Sequence, residues 1–130
     1  MQLFLDAIEE ITRNPFEQHT LFRLADHYIE NYHGASWQDL DVNGRYITYP
    51  DLAKRVRLVN PDNYCSVETD PKSAGAALSI MYLNHQIWKA NDIDPNGEAA
   101  EKFSELWETT MDAVRSDSNL DQRAINAFLD

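Results

Sequence analysis

Apolar residues recur along this chain first at helical spacing, then at strand spacing, then at helical spacing again. Leu3, Phe4, Ala7, Ile8 and Ile11 fall on one stripe of a helix over residues 2–13. Asn14-Pro15 breaks that pattern, and Pro15 suits the first turn of a second helix. This second helix is expected to run to about Tyr32, with Leu21, Leu24, Ala25, Tyr28, Ile29 and Tyr32 on its buried stripe and Gly34 as its left-handed cap. Trp37, Leu40 and Val42 then lead into Asn43-Gly44, the residue pair favoured in a two-residue type I′ turn. Tyr46, Ile47, Thr48 and Tyr49 are strand formers, and Pro50 ends the return strand. A helical turn is expected over Asp51–Arg55, a short strand over Val56–Val59, a turn at Asn60–Asn63 and a further strand over Tyr64–Thr69.

Asp70-Pro71 reads as an N-cap followed by proline at the first helical position. The helix it opens is expected to reach about Ala90, and Ala74, Gly75, Ala76 and Ala77 would let another backbone approach closely. Residues 91–97 form a polar turn. A helix over 98–115 places Phe103, Leu106, Trp107, Thr110, Met111 and Val114 inward, and a short helix over 119–129 closes the chain. The expected architecture is α+β: one domain over 1–130, with a small antiparallel sheet of about three strands, including a hairpin at 37–49, packed with four to five helices. The antiparallel sense follows from the Asn-Gly hairpin, since parallel strands need long crossovers.

Charge narrows the functional classes. The 130 residues carry 22 acids against 11 Lys and Arg, a formal charge of −11. Nucleic-acid recognition relies on cations at the phosphates, so direct DNA or RNA binding is disfavoured and basic-surfaced partners are favoured. The single cysteine, Cys65, cannot close an internal disulfide. No apolar run approaches the roughly 20 residues of a membrane span, and no secretory leader pattern opens the chain, so the expected location is cytoplasmic.

Candidate chemistry is sparse. Glu98, Glu101, Glu105, Glu108 and Asp112 recur every three or four residues and share one helix face, a spacing that can imitate a phosphate backbone. A solvated face opposite an apolar stripe is the commoner origin of such a pattern. Asp26, Glu30 and His33 share another face, but no metal-binding motif accompanies them, and neither metal nor cofactor is expected. Tyr46 to Val56 resembles the opening of a helix-turn-helix, with Lys54, Arg55 and Arg57 as a local basic patch. No recognition helix follows, because Leu58 to Asp70 holds Pro61 and turn residues. No nucleophile elbow, Walker loop or dinucleotide fingerprint is present, so no catalytic set is assigned.

The segment Tyr32-His33-Gly34, then Trp37, Asn43-Gly44 and Tyr46 to Leu52, resembles the ArdB/KlcA antirestriction family. The similarity continues through Leu58-Val59, Asn60 and Asn63, and through Asp70 to Gly75 into Leu78, Ile80, Leu83 and Asn84, so that it spans Phe22 to Trp88. Two departures stand out. The second of the family's paired glycines is Ala35 here, and Lys72 replaces an acid of its Ser-Ala-Asp-Ala-Ala-Gly segment. The resemblance implies a non-enzymatic protein of a phage or other mobile element that inhibits host type I restriction-modification. Its partner would be a subunit of that system or another defence protein. Candidate contact residues are Trp37, Asn43, Tyr46, Tyr49, Asp51 and Asp70 on the hairpin and the segments after it, with the acidic face of residues 98–112 as the alternative surface. Other expected readings are an acidic regulator of some other nucleic-acid enzyme and, third, a DNA-binding regulator built on Thr48 to Arg57.

Overall fold

The structure, a computed structural model, describes residues 1–12 and 18–130. The Asn14-Pro15 break therefore lies outside the described residues. Helix α1 (Gln2–Thr12) buries Phe4, Leu5 and Ile8. The carboxylate of Asp39 closes its N-terminus, accepting from the Leu3 and Phe4 amides at 3.1 Å each.

Helix α2 (Gln18–Tyr28) ends four residues before the expected Tyr32. The cause is tertiary. Ile29 leaves the helix to bridge Leu58, and the Glu30 amide donates to the Arg57 carbonyl at 3.0 Å. Gly34 keeps a positive φ of 96° but sits in the connection to the first strand and does not cap the helix.

Strands β1 (Trp37–Val42) and β2 (Arg45–Pro50) pair antiparallel from Trp37↔Pro50 to Val42↔Arg45. Asn43 at φ 51° and Gly44 at φ 88° make the two-residue turn, with the positive φ at both positions that type I′ requires. The expected helical turn over Asp51–Arg55 is absent; the chain bends at Ala53-Lys54 and enters β3 (Val56–Asn60) directly. Strand β4 (Cys65–Thr69) returns along β3.

The fold class is α+β, but the strands divide into two ladders of two instead of one sheet of about three. The free edge of β2 explains the division. Helix α3 (Pro71–Ile93) occupies it: the Thr48 amide donates to Ser79 Oγ at 3.1 Å, and Ser79 Oγ donates to the Thr48 carbonyl at 3.0 Å. The small residues at the start of α3 permit this approach, as their sequence suggested. A Cβ at Gly75 would collide with the Cα and Cβ of Tyr49.

Residues Ser73 to Ile80 of α3 are all buried, as befits a helix surrounded by other elements. Helix α4 (Glu98–Arg115) and helix α5 (Gln122–Leu129) pack on it. The core is anchored by Tyr82, Phe103 and Phe128, with Tyr28 meeting Phe128 edge-on at 5.2 Å and Phe4 meeting Tyr82 at 6.0 Å. Among the described residues, no helix is long and apolar enough to cross a membrane.

Candidate protein-interaction surface

Most of the hairpin's candidate contact residues serve the fold. Trp37 is 7% exposed, packs against Phe22 at 6.2 Å, and donates from Nε1 to Tyr32 Oη at 3.0 Å. Such a ring is an interior anchor, with little surface to offer a partner. Asn43 uses its left-handed backbone to make the turn and donates from Nδ2 to the Ala113 carbonyl at 3.0 Å, fastening the hairpin to the end of α4. Tyr49 is half-buried beneath Lys72, whose Nζ lies 5.8 Å from the ring centroid. Tyr46, 40% exposed, and Asp51 present open surface. They stand at opposite ends of β2, about 16 Å apart at roughly 3.3 Å per residue, so they do not form one patch.

Asp70 is the cap of α3. Its Oδ2 accepts from the Ser73 amide at 3.0 Å and its Oδ1 from the Ser73 hydroxyl at 2.7 Å. Ser73 Oγ in turn accepts from the Asp121 amide at 2.9 Å, and Asp121 Oδ2 accepts from Thr69 Oγ1 at 2.9 Å while capping α5. One polar network thus joins the starts of two helices to the end of β4. Burial pushes the Asp70 carboxyl up. The bonds from Ser73 and from its own amide, with the Arg55 charge, outweigh burial and hold it below the usual carboxylate range.

The sign of the pH effect follows. A depressed carboxylate stabilises the fold above its unfolded value of about 3.9, and that contribution is lost as pH falls through the folded value. Asp70→Asn retains an acceptor for the cap but removes the charge. At pH 7 the variant should be less stable by about 1 kcal/mol. Urea midpoints measured from pH 7 down to pH 2 should converge with those of the parent; a gap that persists at the acid end would show that the carboxylate's charge is not what matters.

The segment after the hairpin does build a surface feature. Residues 52–57 and residues 29–34 wall an open cleft of about 770 Å³, with Glu68 at its edge. The Ile29–Leu58 bridge and the bond from the Glu30 amide to the Arg57 carbonyl at 3.0 Å tie the two walls together at one end of each segment. Glu30, His33, Lys54, Arg55 and Arg57, which the sequence offered as two unrelated patterns, line this one cleft. Asp26, Glu30 and His33 do not gather as a metal set; among the described residues no group of three potential ligands does. The stretch Thr48 to Arg57 is strand, bend and strand, so the helix that a helix-turn-helix needs is missing.

The acidic face of α4 is as regular as its spacing implied. Glu98, Glu101, Glu105, Glu108 and Asp112 are all exposed, and Lys102 pairs with Glu98 at 2.8 Å. Two exposed aromatics stand outside every candidate set. Tyr64, 94% exposed, holds a φ of 58° in the β3–β4 turn, and Trp88 is 67% exposed on the distal half of α3. Neither position carries a sequence signal, because an aromatic in a turn or on a helix reads first as core. No protein-family model and no curated protein sequence matches this chain.

Proposed function

We propose that this protein is an antirestriction protein of the ArdB/KlcA type, encoded by a mobile element or phage. It inhibits host type I restriction-modification by binding, with no chemistry of its own. The observation that carries this reading is the ordered resemblance over Phe22 to Trp88. In the fold this stretch supplies the C-terminal part of α2, both hairpins and the buried half of α3. The −11 charge supports a protein partner over nucleic acid, and the cytoplasm is where such an inhibitor meets its target. The partner is a restriction-modification subunit or another host defence protein.

The docking face is the surface around the segment that follows the hairpin. A second reading rests on the fully exposed acidic row of α4, which would occupy a DNA-binding surface of this or another nucleic-acid enzyme.

Plating of unmodified phage on type I restricting cells tests both. Expression of the protein should raise plating efficiency, and unchanged restriction would remove the antirestriction reading. Changing Glu101, Glu105 and Glu108 to Gln and Asp112 to Asn together removes four charges while keeping size and helical spacing. Docking predicts nearly full protection from this variant. Loss of protection with an unchanged circular dichroism spectrum would transfer the function to the acidic row.

A further inference from the structure

We propose that the cleft between residues 29–34 and 52–57 is a binding site for a short acidic peptide segment of a protein partner. Lys54, Arg55 and Arg57 bring three of the chain's eleven Lys and Arg residues to one wall. Among the lining residues two carboxylates, Glu30 and Glu68, stand against them, so the lining is net positive on a protein whose formal charge is −11, while the Asp70 carboxylate, outside the lining, also feels the Arg55 charge.

The cations are weakly committed. Arg57 Nε is 4.0 Å from Glu30, and Arg55 Nε is 3.9 Å from Glu68, with all four side chains about half exposed. Pairs of that kind contribute little and exchange readily. Arg55 also reaches the Glu68 carbonyl at 3.4 Å, and Arg57 reaches Ser66 Oγ at 3.2 Å. Lys54 has no ion-pair partner among the described residues. An incoming carboxylate therefore meets one unpaired ammonium and two guanidinium groups that can turn toward it.

Size and the surrounding field select the ligand. The cleft, about 770 Å³, lies within the range of clefts that enclose small ligands. Ile29, Leu52 and Val56 give it apolar surface beside the charges. A nucleic-acid strand would extend past the cleft into the repulsion of the remaining surface, whereas a segment with one or two carboxylates would not.

The test uses the ¹⁵N-labelled full chain and the peptide acetyl-Gly-Glu-Glu-Gly-amide. Saturable shifts are expected in the amides of Asn31 to Gly34 and Ala53 to Arg57, weakening with added salt. The Gln counterpart of the peptide should give none. Lys54→Gln combined with Arg55→Gln should weaken binding about tenfold. Glu68→Gln, which removes a competing carboxylate, should tighten it severalfold, an effect that a folding defect would not mimic. Three results would each overturn the proposal: no saturable shift from the Glu peptide, equal shifts from the Gln peptide, or tighter binding of a short oligothymidylate to the same residues. Because the readout is binding by purified protein, its outcome is separable from that of the restriction assay.

Discussion

Gly75→Ala is expected to cost about 3 kcal/mol, although alanine is the better helix former by roughly 1 kcal/mol. The added methyl would meet the Cα and Cβ of Tyr49 and come within 2.6 Å of the Thr48 carbonyl oxygen. Those are backbone and near-backbone atoms, so no flexible side chain can swing aside. Relief requires moving β2 off α3, which also breaks the paired bonds between Thr48 and Ser79. Gly44→Ala supplies the contrast. A Cβ there meets nothing within 4 Å, and only the conformational cost at φ 88° remains, on the order of 1 kcal/mol. Urea denaturation of the two variants should therefore rank them far apart. A Gly75→Ala midpoint at or above that of the parent would mean that the strand and the helix do not touch as described.

Trp37→Ala should destabilise the protein by about 3–5 kcal/mol, the range for removing a large aromatic from a core. The ring is nearly inaccessible, lies against Phe22, and satisfies the Tyr32 hydroxyl through its indole N–H. Trp37→Phe keeps an aromatic ring and loses that bond and part of the volume, so a smaller loss of about 1–2 kcal/mol is expected. Midpoints from denaturation, read together with plating assays, separate two roles. A stable Trp37→Ala protein that no longer protects would make Trp37 a contact residue; an unstable one is what the packing requires.

How much of this was legible beforehand depended on whether the signal was local. Asn43-Gly44 between strand formers set the turn and the register of the first hairpin, because only a few residue pairs accept positive φ twice. Asp70-Pro71 marked the start of α3, and α4 occupies Glu98–Arg115 as its periodicity predicted. The small residues after Asp70 foretold a close approach without naming what approaches. The failures are long-range. Nothing near Tyr28 says that Ile29 will abandon the helix for Leu58, and nothing near Thr48 says that a serine on α3 will take the place of a third strand.

The candidate site divides in the same way. Aromatic and polar residues around a turn suggested a contact surface, but Trp37, Asn43 and Asp70 make bonds inside the fold. A resemblance in sequence does not distinguish residues that hold the fold from those that face a partner. The run Lys54-Arg55 with Arg57 was visible in an acidic chain, yet its opposite wall lies twenty or more residues earlier.

The docking of β2 on α3 also governs how the molecule opens. A two-stranded ladder is at best marginally stable in water by itself, so the β1–β2 hairpin depends on the helix it leans on. Amide hydrogen exchange should then group by contact with α3, with the amides of β1–β2 and the buried stretch from Ser73 to Leu83 exchanging through one shared opening. The distal turns of α3, from Asn84 to Ile93, bury far less and should exchange first. One helix would thus show two rates, divided near Leu83 where its burial ends.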